Sequence, residues 1–90
     1  MPTFALKLYS DKVRARTVRN LHVLIQQHLE AMQRDSYGLE SIRWKQEVDQ
    51  FWKQVFEQVG EMSPAPQQAS LEVIRELWTM YLKHYVTVAD

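Results

Sequence analysis

The chain has 90 residues, of which 46 % are hydrophobic and 11 % aromatic, and its eleven basic side chains balance its eleven acidic ones. This composition excludes a disordered tail, and the absence of cysteine excludes disulfide frameworks, thiolate metal sites and cysteine nucleophiles. Only two glycines and three prolines occur, which disfavours a many-stranded sandwich or barrel with its repeated tight turns. We therefore expect a single helical domain over residues 1–90.

The first predicted helix covers residues 11–34. Ser10 is a suitable N-cap, and Asp11 places negative charge in the first turn, where the helix dipole favours it. Apolar residues then recur at intervals of three and four, which is the pattern of an amphipathic helix. The stripe consists of Val13, Thr17, Val18, Leu21, Leu24, Ile25, Leu29 and Met32.

The second predicted helix covers residues 39–59 and follows a turn-forming cluster at residues 35–38. Asp49 and Lys53 are spaced for a favourable i,i+4 ion pair on its polar side. Its apolar face is rich in aromatic residues and consists of Trp44, Val48, Phe51, Trp52, Val55, Phe56 and Val59.

The third predicted helix covers residues 66–86. Gly60 suits the left-handed position that often follows a helix, and Pro64 and Pro66 forbid continuation of the second helix. Pro66 itself fits a first helical turn, where its missing N–H group needs no acceptor. The apolar face consists of Leu71, Ile74, Leu77, Trp78, Tyr81, Leu82 and Tyr85.

The ends of the chain allow two interpretations. Residues 3–9 alternate apolar and other side chains, and residues 85–88 are aromatic and β-branched, so the two segments could pair as a short ribbon. Alternatively, residues 3–9 extend the first helix. We expect an all-α fold, a three-helix bundle with a short N-terminal arm.

The apolar faces are wider than a three-helix core requires, and Val23 and Met80 lie on faces that are otherwise polar. We therefore expect association through helix faces, most simply as a symmetric homodimer, although a monomer can also expose scattered apolar residues. Tryptophans often anchor interfaces. The candidate interface residues are Val23, Trp44, Trp52 and Met80.

Lys12, Arg16 and Arg19 are spaced by four and three residues, so they share one face of the first helix; we call them the basic ridge. The ridge is typical of a solvated helix face, of a contact with an acidic protein surface, or of a phosphate contact. The first 35 residues carry a net charge of +3, residues 36–60 carry −1 and residues 61–90 carry −2. The zero total argues against a dedicated nucleic-acid binder.

No arrangement of residues suggests catalysis, a metal or a cofactor. His22, His28 and His84 form no i,i+4 pair, no serine lies in a nucleophile motif, and Glu72 and Glu76 lack the histidine that bundle metal sites add. We therefore expect a cytoplasmic, non-enzymatic chain without membrane span, metal or cofactor. The interpretation that fits best is a protein-interaction module, an adaptor, regulator or inhibitor, and the alternative is a helical subunit that contacts nucleic-acid backbone through the basic ridge.

Overall fold

Three α-helices make up the described part of the chain. The structure is a computed structural model, which describes the backbone of residues 2–34 and 38–85 and the side chains of residues 10–34 and 40–84. The helices are α1 (Pro2–Arg34), α2 (Leu39–Gly60) and α3 (Pro64–Tyr85), and no strand occurs in these ranges. The predicted all-α three-helix bundle is therefore confirmed.

Helix α1 begins nine residues before the predicted start. Residues 3–9 extend the first helix, so the ribbon is wrong in its N-terminal half; its other half falls on residues 85–88, of which 86–88 lie outside the described residues. The reason lies in the residues themselves. The segment from Phe4 to Leu8 contains no β-branched residue and is rich in alanine, leucine and lysine, which favour helix, whereas an isolated ribbon is marginal.

The connection between α2 and α3 is shorter than predicted. Gly60 is the last residue of α2 and has no positive φ angle, so it does not occupy the left-handed position predicted for it. Helix α3 starts at Pro64 rather than at Pro66. Both prolines lie in its first turn, where the N–H groups have no intrahelical acceptor and their loss costs little.

The three helices run up, down and up. Helices α1 and α2 are antiparallel, since Arg14 Nη1 donates to Gln58 Oε1 at 2.9 Å near one end and His28 contacts Glu47 near the other. Helix α3 is antiparallel to α2 and parallel to α1. The same small cavity is lined by Ala15, in the first half of α1, and by Pro66, in the first turn of α3, which shows this parallel alignment.

The core lies where the three apolar faces meet. Large rings fill the space between α2 and α3: Trp52 contacts Trp78 with ring centroids 4.8 Å apart, and Tyr81 lies 5.8 Å from both. Aliphatic side chains fill the space against α1. The buried apolar residues are Val18, Leu21, Ile25, Leu29 and Met32 of α1, Val48, Trp52, Val55 and Val59 of α2, Met62 of the connection, and Ile74 and Tyr81 of α3.

Asp11 fixes the start of α3 against α1. Its side chain is only 3 % exposed, and its Oδ1 accepts the backbone N–H of Ser63 at 3.1 Å. Ser63 immediately precedes α3, so the carboxylate lies at the positive end of the α3 dipole. Gln67 completes this junction, because its Nε2 donates to the carbonyl of Val59 at 3.0 Å near the end of α2.

Asp49 makes a different contact from the predicted one. It lies 3.4 Å from Lys45 Nζ rather than pairing with Lys53, and it also accepts a hydrogen bond from the Tyr81 hydroxyl. The i−4 lysine is the nearer neighbour because the α3 hydroxyl holds the carboxylate on the side of α2 that faces α3. Lys53 is exposed.

Helix α1 is longer than the helices that cover it. Asp11 is level with the α2–α3 connection, so the first nine residues of α1 extend about 13 Å beyond that level. The longest dimension of the molecule is 55 Å. None of the helices, over the residues described, contains an apolar stretch long enough to cross a membrane.

Replacing Asp11 tests the junction. We expect Asp11→Ala to lower the free energy of unfolding by about 1–3 kcal/mol, because the Ser63 N–H loses a buried acceptor. Asp11→Asn keeps an acceptor oxygen and should lose less. Urea denaturation followed by circular dichroism measures both, with the exposed Glu30→Ala as control. Equal stability of Asp11→Ala and Glu30→Ala would show that the junction does not depend on this carboxylate.

Candidate docking surface

A groove of about 550 Å³ runs between the parallel helices α1 and α3. Its apolar lining comes from Leu29 of α1 and from Val73, Leu77 and Met80 of α3. Polar side chains form the rest of the lining. They are His22, Gln26, Glu30 and Gln33 of α1 and Glu76 of α3.

The groove continues toward the first residues of α3. A smaller cavity of about 100 Å³ shares Val73 with the groove and is otherwise lined by small side chains and by Arg19. Ala15 of α1 and Ala69 of α3 are too short to fill this space. The two cavities together form one apolar strip along the α1–α3 boundary, and Val73 remains 48 % exposed within it.

The basic ridge borders this strip. Lys12, Arg16 and Arg19 are all exposed, and Arg19 itself lines the smaller cavity. Over the residues whose side chains are described, no carboxylate lies within ion-pair distance of any of the three. Like charges at i,i+4 and i,i+3 repel, so the ridge destabilises the helix that carries it.

Some cations elsewhere on the surface have partners on their own helix. Arg43 lies 2.5 Å from Glu40 and 3.7 Å from Glu47, and Arg75 lies 3.9 Å from Glu72. These are ordinary surface pairs that contribute little to stability. The ridge differs because three cations lie together on one face of a helix, and the described residues leave all three uncompensated.

The two ends of the strip therefore carry opposite charges. The basic ridge lies beside the end where α3 begins, and Glu30 and Glu76 lie beside the larger groove. The surface can distinguish the two ends of a charged, elongated partner.

The four predicted interface residues lie in different environments. Val23 is 51 % exposed on the outer side of α1, and Met80 is half-buried in the groove. Trp44 is half-buried and packs against the core. Trp52 is 3 % exposed, so it belongs to the core and we leave it out of any accessible surface.

The aromatic residues of α2 and α3 mainly contact one another. Phe56 and Trp78 meet edge to face with centroids 4.9 Å apart, and both contact Trp52. The basic ridge lies on a different side of the molecule from these aromatic faces. The ridge borders α3 on the outer side of α1, away from the α2–α3 boundary, so one compact partner helix cannot cover both.

His28 joins α1 to α2 outside the groove. Its Nδ1 lies 2.9 Å from the carbonyl oxygen of Leu24, and its Nε2 lies 2.6 Å from Glu47 Oε2. Both neighbours are hydrogen-bond acceptors, so the ring links the α1 backbone to a carboxylate of α2. Phe51 packs edge-on against the ring at 5.1 Å. The contact ties α1 to α2.

Sequence reasoning missed the polar lining of the groove. The spacing in the sequence predicts ordinary solvent-facing positions for Gln26, Gln33 and Glu76. It does not show that α1 and α3 leave a groove between them that these side chains line. The signal that was available is the exposed Val73, which interrupts an otherwise polar face of α3. Among the described residues, no group of three or more metal-ligating side chains is close enough to hold a metal ion.

Comparisons with protein-family models, with curated protein sequences and with solved structures find no match to this chain.

The cost of the basic ridge can be measured. We expect Arg16→Glu to raise the free energy of unfolding by about 1 kcal/mol, because it removes two repulsions and places a carboxylate within one turn of Lys12 and Arg19. Arg43→Glu is the matched control: it makes the same change of charge beside Glu40 and Glu47 and should lower stability. Urea denaturation at low salt measures both, and equal signs for the two variants would contradict this account.

Proposed function

We propose that this chain is a non-enzymatic protein-interaction module that binds an amphipathic helix of a partner protein along the α1–α3 strip. The observation that carries the proposal is the uncompensated basic ridge beside an exposed apolar groove. A helical face that repels itself is retained at a cost in stability, and an acidic partner would remove that cost.

The shape of the strip favours a helix as the occupant. Helices α1 and α3 are parallel neighbours, and the space between them is the position that a fourth helix takes in a bundle. An apolar stripe on that helix would cover Leu77, Val73 and Met80, which are all at least partly exposed. Helix-in-groove recognition of this kind uses anchors at i, i+3, i+4 and i+7.

The charges favour one direction for the partner helix. An antiparallel orientation places its C-terminal end, the negative end of its dipole, beside Arg16 and Arg19. Its N-terminal end then lies beside Glu30 and Glu76. We therefore expect acidic residues near the C-terminus of the bound segment and basic residues near its N-terminus. Charge at these ends mainly sets the association rate and the salt dependence.

The alternative function is a contact with nucleic-acid backbone through the same ridge. The unpaired guanidinium groups of Arg16 and Arg19 favour it, since such groups bind phosphate well. Glu30 and Glu76 oppose it, because they place negative charge along the same strip. This chemistry would use the ridge alone and leave the groove empty.

A pair of synthetic helical peptides tests the proposal. Both carry the same apolar stripe of about three turns, one with glutamates at the C-terminal end and lysines at the N-terminal end, the other with these charges exchanged. We expect the first to bind about tenfold more tightly by fluorescence anisotropy. The K12E/R16E/R19E variant should instead bind the second peptide more tightly. A matched control with glutamate at Arg43, Lys53 and Arg75 should keep the wild-type preference for the first peptide.

Two results would contradict the proposal. One is equal affinity for the two peptides, which would mean that the charges along the strip do not orient a helix. The other is binding of a random duplex oligonucleotide with a log–log salt slope of about −3, as three phosphate contacts require, without binding of either peptide. That outcome would favour the nucleic-acid alternative.

A further inference from the structure

The outer face of α2 carries an unexplained apolar residue. Ile42 is 64 % exposed, the highest value among the large apolar side chains that the structure describes. Gly60 lies on the same line of α2, five turns farther on. A Cβ atom added at Gly60 would meet nothing within 4 Å. One end of this face therefore carries the projecting side chain of Ile42, and the other end has open space over Gly60.

The residues between Ile42 and Gly60 on this face follow the spacing of a coiled-coil contact. Steps of four and three residues alternate along the whole length of α2, which keeps one seam of a helix toward a partner. All six positions of this seam are exposed, although Asp49 and Phe56 at its edge also contact α3, so a further helix can pack on the seam beside α3. The seam residues are Ile42, Gln46, Asp49, Lys53, Phe56 and Gly60.

The charges of the seam are complementary to themselves when the seam is reversed about position 51, and Gln46 then faces Phe56. Ile42 then faces Gly60, and Asp49 faces Lys53. The flanking charges follow the same rule, because Lys45 then faces Glu57. A helix pair related by a twofold axis requires this kind of pattern, since each residue must meet its complement on the other copy.

We propose that two copies of this chain associate through α2, antiparallel to each other, with the twofold axis at the level of residue 51. Each copy then contributes the same surface, and two Asp49–Lys53 pairs form across the centre of the contact. The gap over Gly60 of each copy receives Ile42 of the other.

The two charged side chains at the centre of the seam, Asp49 and Lys53, are exposed. Asp49 accepts a hydrogen bond from the Tyr81 hydroxyl and lies 3.4 Å from Lys45, and its side chain is still 47 % exposed, so it remains accessible to a further cation. Lys53 has no carboxylate within ion-pair distance in the part of the chain whose side chains are described. A second copy supplies that partner, and the pairs fix the register of the two helices.

The apolar side chain at the end of the seam, Ile42, can pack against a notch on the other copy. Phe56, 37 % exposed, and Leu71 line a notch of about 270 Å³ between α2 and α3. Leu71 lies near the end of α2, because its neighbour Ser70 contacts Met62 of the following connection, with the hydroxyl oxygen 3.3 Å from the sulfur. The Ile42 side chain of the second copy therefore lies over Gly60 and beside this notch, where it covers apolar atoms of both helices.

This interface is separate from the α1–α3 strip. The strip faces the outer side of α1, and the α2 seam faces away from α1, so occupation of one leaves the other accessible. The proposal therefore does not depend on the proposed function, and each can fail alone. A dimer built in this way carries two copies of the strip.

Sedimentation velocity tests the interface. At a concentration on the order of 100 µM we expect a dimer that Ile42→Lys, Gly60→Leu or Lys53→Glu each weakens by about tenfold or more. Gly60→Leu has open space in the single copy, so its effect would come from the contact between copies. The control is Val23→Lys, which changes an exposed apolar residue of α1 and should leave the dimer intact. A wild-type monomer at this concentration, or a dimer that only Val23→Lys disrupts, would overturn the proposal.

Cysteine cross-linking tests the antiparallel register, and the natural chain contributes no cysteine of its own. In the antiparallel pair, residue 42 meets residue 60 of the other copy and lies about 27 Å from residue 60 of its own helix. We therefore expect a mixture of Ile42→Cys and Gly60→Cys proteins to give a disulfide-linked dimer on oxidation. Each variant alone should stay uncrosslinked. Efficient 42–42 cross-links would show a parallel pair and would overturn the proposed geometry.

Discussion

One continuous apolar stripe on α1 is the constraint on which this fold depends. The stripe occupies residues 13–32 of a helix of 33 residues, and two helices of 22 residues each pack against it. Since α2 returns antiparallel to α1, α3 has to run parallel to α1. That arrangement leaves the α1–α3 boundary incompletely filled, and the buried carboxylate of Asp11 fixes where α3 begins. The groove therefore lies along the side of α1 between residues 22 and 33, where α3 covers it only in part.

The surface charges divide the molecule into regions with different roles. On α2 and α3, basic side chains such as Arg43 and Arg75 lie beside carboxylates of their own helix, and such pairs are close to neutral in stability. On α1, the basic ridge has no such neighbours. The proposed helix partner binds beside the uncompensated charge of the basic ridge. The proposed second copy of the chain binds along α2, where the order of the charges is self-complementary.

The sequence was sufficient to predict the helices and most of the core, because residues such as Ile25, Val48 and Ile74 recur at helical spacing and are buried. It was not sufficient to predict which apolar residues remain outside. Leu24, Phe56 and Leu71 belong to the same periodic stripes, yet each stays more than one third exposed, because burial depends on how closely the neighbouring helix approaches. The α1–α3 groove escaped prediction for the same reason, since inter-helix distances have no local signature.

The Asp11–Ser63 contact has a consequence for the order in which the chain assembles. It joins residues 52 positions apart, whereas the His28–Glu47 contact between α1 and α2 joins residues only 19 apart. Closing the longer loop costs about 1 kcal/mol more in chain entropy. The hairpin of α1 and α2 can therefore form first, and α3 docks onto a scaffold that already exists. The groove is consequently the last feature of the molecule to be completed.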